Sequence, residues 1–464
     1  MEVIGIILSL FLLMFFAYRG FSVILFAPVF ALLAAALSGL PLMPAYTELF
    51  MAKGVTYVKT YFPVFLLGAV FGKVMEDTGL AKGIARAIIQ GLGKERAILS
   101  VVLAGAVLTY GGVSLFVVVF AVYPFAAALF READIPKRLI PGSVALGAFT
   151  FTMDSFPGTP QIQNIIPTNF FGTTLYAAPV SGLLGGTAIL VLGVSWLNYR
   201  RRAAKNEGYG QHTLNEPEAQ AATVDLPPWF VGILPLLTVL VINFVVTRYV
   251  NWDPNLLAPF QAMKLPLVAA SVKSVLSIWA LIIALVCGIV LAIILGLGRL
   301  PGGGMAKALN AGAIGSLLAI MNTASEVGYG NVIASLPGFQ AISTALMGIK
   351  IGGSPLVSEA VTVNVLAGIT GSASGGMSIA LDLMAKDWLA WANSIGMSPE
   401  ILHRVASMAS GGMDTLPHNG AVITLLAVCG LTHRDSYFDI FAMTVIKTAM
   451  VFLVILFHSL TGIL

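Results

Sequence analysis

Charged residues are scarce in this 464-residue sequence, because Asp, Glu, Lys and Arg together make up only 10% of it. Soluble domains usually carry roughly 25% charge. Here apolar residues reach 58%, and the mean hydropathy is +0.92. This composition excludes an ordinary soluble domain and is typical of a chain that crosses a membrane many times. The predicted fold class is therefore an all-α polytopic membrane protein in contact with a lipid bilayer.

Cysteine and the motifs of common enzymes are also nearly absent. The two cysteines, Cys287 and Cys429, lie in apolar segments without metal-ligand spacing, so we expect no metal site. The glycine-rich segment LPGGGMAK at 300–307 lacks the spacing of a phosphate-binding loop, and neither HExxH nor a nucleophile elbow occurs. No basic domain suited to nucleic acid is present. We therefore expect a protein that is not an enzyme, uses no cofactor and binds no nucleic acid.

The most unusual segment is ASGGMDTLPHNG at 409–420, which places ionisable and polar side chains inside a long apolar run. An ionisable side chain at the centre of a bilayer costs roughly 2.5–3.5 kcal/mol even on the most lenient scale. Small residues and Pro417 also interrupt any helix there. The pattern occurs twice, since MDSFPGT at 153–159 corresponds to MDTLPHN at 413–419. Two interrupted hydrophobic segments at matching positions in two halves indicate the substrate site of a transporter.

The positions of Lys and Arg orient the apolar segments across the membrane. Residues 97–130 are interrupted by TYGG and flanked by basic residues at both ends, so we predict a re-entrant hairpin rather than a single crossing. A second hairpin is predicted at 355–395, and broken helices at 139–168 and 401–431. We also expect an outer loop at 41–60 and an amphipathic surface helix within LAKGIARAIIQGLG at 80–93.

A second repeated motif supports the duplication. VLAG occurs at 102–105 and at 365–368, so Val365 lies 263 residues after Val102, while Asp414 lies 260 residues after Asp154. The predicted domains are a first repeat at 1–198, a cytoplasmic linker at 199–228 and a second repeat at 229–464. One repeat begins from outside and the other from inside, which predicts inverted repeats. About ten transmembrane helices would then cross the inner membrane, with both termini outside.

Three segments resemble a known family: TYGGVSLFVVVFAVYPF, IPKRLIPGSVALGAFT and SPEILHRVASMASGG. They are similar to segments of the gluconate permease family, part of the ion-transporter superfamily. The resemblance covers nearly the whole chain in the order of elements. It implies a homodimer whose mobile transport domain carries two hairpins and two broken helices, and import of sugar acids or related carboxylates with protons. The first break differs from the His-Pro-rich break of gluconate permeases, which favours a smaller acid such as 3-hydroxybutyrate.

Small and polar residues at the hairpin tips and breaks are the candidates for binding substrate. Backbone N–H groups and helix N-termini at such sites attract anions, although small residues also simply allow close helix packing. The hairpin candidates are Gly111, Gly112 and Ser114 in the first hairpin and Ser372, Ser374 and Gly375 in the second. The candidates in the breaks are Thr159, Thr415, Asn419 and His418, the last also as a proton relay.

Asp154 and Asp414 are the candidates for coupling transport to protons. A carboxylate that faces a closed cavity is costly until a proton or a cation neutralises it. The alternative is that each Asp caps the half-helix that begins at its break. Glu326 and Glu359 also lie in or beside apolar runs, and no role follows from the sequence for Lys447.

These observations predict a secondary active transporter that imports a small organic carboxylate by proton symport, with an elevator-like movement of the hairpin domain. Coupling to Na⁺ is the alternative within transporters, because unwound carbonyls with Ser, Thr and Asn oxygens also hold that ion. A passive anion channel is the alternative from another class. The paired breaks and inverted repeats argue against a channel.

Overall fold

The computed structural model describes residues 2–19, 21–113, 115–210, 226–264, 267, 271–300, 304–349, 351–417 and 419–464. Within these ranges the chain is helical and contains no β-strand, as the predicted fold class requires. Two of the candidate residues, Ser114 and His418, lie outside the described residues.

The helices follow the chain in an order that occurs twice. Each half has two helices, one long helix, one short amphipathic helix, a helical hairpin, a broken helix and a final long helix. The first series is α1 (Glu2–Tyr18), α2 (Val23–Leu37), α3 (Leu42–Asp77), α4 (Leu80–Leu92), α5 (Ala97–Tyr110), α6 (Leu115–Glu132), α7 (Ile140–Ala148), α8 (Phe151–Asp154), α9 (Ile162–Phe171) and α10 (Pro179–Ala203). The second is α11 (Trp229–Tyr249), α12 (Val272–Gly296), α13 (Gly304–Ala334), α14 (Pro337–Met347), α15 (Leu356–Thr370), α16 (Ala373–Ser394), α17 (Pro399–Gly412), α18 (Gly420–Val428) and α19 (His433–Thr461).

The two series are interlocked rather than side by side. The long helices α3 and α13 pack along each other at the centre. The second helix of each series packs against the long helix of the other, α2 on α13 and α12 on α3. The short amphipathic helices cross over in the same way, α4 onto α11 and α14 onto α1. These reciprocal contacts between the two series are consistent with a duplicated unit. The inverted orientation of the two repeats in a membrane stays a prediction.

Length and composition set which helices can cross a bilayer, since a span needs about 20 apolar residues. Among the described residues, six helices meet this requirement: α3, α10, α11, α12, α13 and α19. Shorter apolar stretches lie at Val3–Leu13, Val23–Leu37 and Leu356–Gly368. The paired helices α5–α6 and α15–α16 and the interrupted segments α7–α9 and α17–α18 occupy the predicted hairpin and broken-helix positions.

The predicted outer loop at 41–60 is wrong, because these residues form the first half of α3. A π-helical stretch, Ala45–Met51, joins its first turn to the α-helix that begins at Ala52. The polar residues that suggested a loop find partners in the fold. Lys53 pairs with Asp382 of α16 at 2.9 Å. The ion pair explains why a basic residue is tolerated in a helix long enough to span the membrane.

The buried carboxylate of Asp439 connects the last helix, α19, to the residues that precede the first broken helix. Asp439 of α19 is 1% exposed and accepts hydrogen bonds from Arg200 Nε at 2.8 Å and Trp196 Nε1 at 3.1 Å. Its other oxygen accepts from Arg138 Nη1 at 3.5 Å, and Arg138 also pairs with the half-exposed Glu207 at 2.9 Å. One carboxylate therefore joins α19, α10 and residues 137–139.

The substitution Asp439→Asn should lower stability by about 3 kcal/mol, the lower end of the range for breaking a buried ion pair, because Arg138 and Arg200 keep partial contact with solvent. Thermal unfolding of the detergent-solubilised protein measures the loss. Glu207→Gln is the matched control, and removal of its exposed charge should cost about 0–1 kcal/mol. Equal effects of the two substitutions would contradict this assignment.

Candidate functional site

The two broken helices meet in the interior. Helix α17 packs against both α8 and α9, so the first break, 155–161, lies beside the second, Met413 to Asn419. Helix α17 begins at Pro399, where the Ser398 hydroxyl accepts a hydrogen bond from Glu400 N, and it ends at the pair Gly411 and Gly412. The chain can then leave the helix, and Gly411 lies against Asp154, the last residue of α8.

Three ionisable groups are buried at this junction. Lys447 of α19 donates to Asp414 Oδ1 at 2.7 Å and to the carbonyl oxygen of Phe149 at 2.9 Å. Asp154 lies beside them, since both its Oδ2 and Lys447 Nζ are close to the position that a Cβ would take on Gly411. Two carboxylates and one ammonium group therefore lie close together, and among the described residues Lys447 forms an ion pair with Asp414. These three groups carry one excess negative charge when both carboxylates are ionised, and the buried guanidinium of Arg404, which interacts electrostatically with Asp154, offsets it.

Asp154 is the less satisfied of the two carboxylates. Its Oδ1 accepts a hydrogen bond from the Ser155 hydroxyl at 2.6 Å, whereas Oδ2 has no hydrogen-bond partner among the described residues. Asp154 is 1% exposed. A buried charged oxygen without a donor is costly. Proton binding to Asp154 removes that cost, which is the chemistry expected of a coupling residue.

The capping alternative for the two aspartates is wrong in this structure. The residue that caps the second half-helix is Asn419, whose Oδ1 accepts from Ala421 N at 2.7 Å and Val422 N at 3.3 Å. In the first half α9 begins after Gln161, and no side chain caps it. Asp414 instead pairs with Lys447. The carboxylates are thus not needed to start the half-helices.

An arginine that the sequence reasoning missed supports the first break. Arg404 of α17 is fully buried and donates to the carbonyl oxygens of Ala177 at 2.8 Å and Asp154 at 3.3 Å. It also donates to Asn164 Oδ1 at 3.2 Å, which is 3.0 Å from His403 Nε2. The signal was the pair His403 and Arg404 in an otherwise apolar helix, where an ionisable residue calls for a partner.

Each hairpin tip is tied to the break of its own half. In the first half the Tyr110 hydroxyl donates to the carbonyl oxygen of Pro157 at 2.7 Å, and Gln161 Nε2 donates to that of Thr109 at 2.8 Å. In the second half Asn419 Nδ2 donates to the carbonyl oxygen of Gly371 at 2.7 Å. Tip and break therefore form one connected unit in each half.

A cavity of about 510 Å³ opens where the second tip, the second break and α13 come together. Its apolar lining includes Phe65, Phe149, Met153 and Ile162. Among the described lining residues none is Lys or Arg. Its polar lining includes Thr323, Glu326, Ser372, Ser374, Asp414 and Asn419. Four of these six were candidates from the sequence, and this size suits a small organic molecule.

The remaining candidates lie elsewhere. Thr159 donates to the carbonyl oxygen of Thr152 at 2.7 Å, and the Thr415 hydroxyl is 2.6 Å from that of Thr444, so both hydroxyls are used inside the protein. Neither residue lines the cavity.

The glycine candidates have different surroundings. A Cβ on Gly111 would meet Leu236 at 2.8 Å, which fits the close-packing alternative. Gly112 has φ +94° and lines a second, more apolar cavity of about 510 Å³ that shares Gln163 and Asn322 with the first. A Cβ on Gly375 would overlap the carboxylate of Glu326. In the part of the chain that is described, no cluster of His, Cys, Asp and Glu could hold a metal ion.

Comparison with known proteins identifies a family, a relative and a solved structure that are similar to this chain. The profile of the GntP family permease matches residues 1–402. The chain is 53% identical over 474 aligned positions to a Bacillus subtilis (strain 168) protein named uncharacterized transporter YxjC, and the match covers 100% of both chains. The fold of the present chain is similar to that of Neisseria gonorrhoeae MtrF, described as an antimetabolite efflux pump. The TM-score is 0.57 and the sequence identity 12%, and the match covers 93% of this chain and 92% of the other. The structural likeness shows the fold alone.

Gly411→Ala should destabilise the protein by about 1–3 kcal/mol, the usual cost of overpacking, because the added methyl group would displace the buried Asp154 carboxylate. Thermal unfolding in detergent measures the change. Gly420→Ala is the matched control, since a Cβ there meets no atom within 4 Å. If the two variants unfold at the same temperature, Asp154 is not held against Gly411 as described.

Lys447→Met should destabilise the protein by about 3–5 kcal/mol, because it leaves the Asp414 carboxylate buried without its partner. The double variant Lys447→Met with Asp414→Asn should recover most of that loss, since both members of the pair are then neutral. Unfolding temperatures of the single and double variants test the pairing. Additive losses in the double variant would show that the two side chains do not stabilise each other.

Proposed function

Because the chain belongs to the GntP permease family, we propose that it is a secondary active transporter that imports a small organic carboxylate together with protons. One observation carries this proposal: two broken helices and α19 bring Asp154, Asp414 and Lys447 together, all three buried, beside a cavity of about 510 Å³. Broken helices that meet at a buried polar site are the arrangement that secondary transporters use for substrate and coupling ion.

The substrate carboxylate binds at the second hairpin tip. Helix α16 starts at this tip, and its N-cap Ser372 lines the cavity together with Ser374. A helix N-terminus offers backbone N–H groups and the positive end of the helix dipole to an anion. The described lining contains no Lys or Arg. The N-terminus of α16 and the hydroxyls of Ser372 and Ser374 therefore attract the substrate anion without a fixed positive side chain.

The apolar part of the cavity favours a small acid with few hydroxyl groups. Phe65, Phe149, Met153 and Ile162 offer no hydrogen bonds to the rest of the substrate. A sugar acid with many hydroxyls would lose hydrogen bonds to water that these side chains do not replace. A monocarboxylate such as 3-hydroxybutyrate fits this lining better than gluconate does.

Proton coupling follows from the surroundings of the buried Asp154 carboxylate. Lys447 is paired to Asp414, and Asp154 Oδ2 has no hydrogen-bond donor among the described residues, although the Arg404 guanidinium lies near it. Moving a buried ionised carboxylate with an unsatisfied oxygen through the membrane is costly, and one bound proton removes that cost. The movement itself is elevator-like: the hairpins and broken helices shift as a unit against the packed pair α3 and α13, in a homodimer of the inner membrane.

Uptake into proteoliposomes tests this function, with radiolabelled 3-hydroxybutyrate and gluconate as probes. An acidic exterior should drive accumulation of 3-hydroxybutyrate by the parent protein. Asp154→Asn should strongly lower accumulation but keep exchange of labelled for unlabelled substrate, because the Asn side chain can neither bind nor release a proton. Asp414→Asn should impair both activities, since it leaves the ammonium of Lys447 unpaired. Glu132→Gln, which removes a highly exposed carboxylate, is the control and should transport normally.

The outcomes separate the alternatives. Accumulation that follows a Na⁺ gradient at fixed pH would replace the proton by Na⁺. Equilibration without accumulation under any gradient would identify a passive channel. No uptake of any acid tested would remove the assignment to organic anions.

A further inference from the structure

Glu326 is a buried carboxylate that the coupling cluster does not use. It lies on α13, is 2% exposed and lines the cavity. Its Oε2 has no hydrogen-bond partner in the described part of the chain. Asn322 and Thr323, one turn earlier on the same face of α13, line the cavity too. A buried carboxylate with one unpartnered oxygen that faces a cavity within a membrane span points to a ligand or a proton.

The carboxylate of Glu326 faces the tip of the second hairpin. A side chain larger than hydrogen at Gly375, in the first turn of α16, would overlap Glu326 Oε2. Three hydroxyls surround the same place: those of Thr323 and Ser374 are 3.4 Å apart, and those of Ser372 and Ser374 are 3.5 Å apart. Glu326 therefore lies at the same helix N-terminus that the proposed function assigns to the substrate carboxylate.

The charged and titratable groups around Glu326 do not supply a countercharge. From α3, Tyr57 lies close enough to interact electrostatically with both Glu326 and Asp382 of α16. Asp382 is paired with Lys53 at 2.9 Å. Across the cavity Asp414 is paired with Lys447. Each neighbouring cation thus already has a carboxylate, and within the described residues Glu326 forms no ion pair.

We propose that Glu326 is a proton-binding site of the cavity, and that a substrate carboxylate binds at the N-terminus of α16 only when Glu326 is protonated. When ionised, Glu326 places a like charge at the end of the helix that attracts the anion, so the two carboxylates compete. When protonated, it removes that charge, and its O–H becomes a donor for the incoming carboxylate. Proton and anion then bind together. This inference rests on the proposed function for the identity of the anion, but not for the proton site.

The proton site is tested without any substrate, by infrared difference spectroscopy of the purified protein in lipid as the pH is lowered. The parent should gain a carboxylic-acid band that Glu326→Gln lacks. Glu359→Gln is the matched control: Glu359 is fully buried and its carboxylate oxygens also have no partner among the described residues, but it does not line the cavity. This control should keep the band. If the Gln variant does not fold, Glu326→Asp takes its place. This variant retains a carboxyl group and should show the band at a shifted pH.

Three spectroscopic outcomes overturn the proposal. The first is an unchanged band in a folded Glu326→Gln variant. The second is loss of the band in Glu359→Gln instead. The third is a carboxylate signal that responds to Na⁺ at fixed pH and not to protons, which would make Glu326 a sodium ligand.

Transport then tests the coupling of this proton to the anion. In proteoliposomes, Glu326→Gln should accumulate less labelled 3-hydroxybutyrate, because the proton of Asp154 remains and that of Glu326 is lost, and its exchange activity should no longer fall as the pH rises. Exchange that keeps the pH dependence of the parent would overturn the coupling. If the parent accumulates no acid at all, the proposed function fails, while the infrared titration still decides whether Glu326 binds a proton.

Discussion

The buried ion pair of Lys447 and Asp414, with a second buried carboxylate beside it, is the constraint on which the centre of this protein depends. Lys447 reaches across from α19 to Asp414 and to the carbonyl oxygen of Phe149, at the point where the first broken helix loses its regular hydrogen bonds. Its contacts therefore stabilise both breaks at once. Close packing also explains why α17 ends in two glycines, since the Asp154 carboxylate occupies the space beside Gly411 and the side-chain oxygen of Asn364 that beside Gly412. A buried ion pair of this kind adds little net stability compared with an apolar pair of similar size, whereas removal of one partner is strongly destabilising.

Around that centre the fold repeats a single plan. In each half a hairpin tip is held by hydrogen bonds to the break of the same half, through Tyr110 and Gln161 in the first and through Asn419 in the second. The two halves differ in what they present to the cavity. The second tip offers Ser372 and Ser374, whereas the first tip lies beside a more apolar space. Under the proposed function, this difference between polar and apolar surroundings would give a substrate carboxylate one preferred orientation.

Much of this architecture could be predicted from local sequence signals. The duplicated MDSFPGT and MDTLPHN segments indicate the breaks because proline, small residues and a carboxylate are all costly inside a membrane helix. The partner of Asp414 could not be predicted, since Lys447 is 33 residues away on another helix and only the packing of α17 against α19 brings them together. The prediction of a loop at 41–60 was wrong because the sequence does not show that Lys53 forms an ion pair with Asp382, which allows a helix to contain it. The directions of the Thr159 and Thr415 hydroxyls likewise depend on packing. Glu326 could be recognised in the sequence as an ionisable residue in an apolar run. Only the structure shows that it lines the cavity.

The most direct test of the central claim, that an organic anion and a proton cross together, is the proton movement that the substrate itself causes. Proteoliposomes that contain a trapped pH-sensitive dye, with potassium and valinomycin to fix the voltage, start without a pH gradient. Addition of 3-hydroxybutyrate outside should acidify the interior at a rate far above that of protein-free liposomes, with labelled substrate entering in parallel. Entry of labelled substrate at a constant internal pH would contradict proton symport.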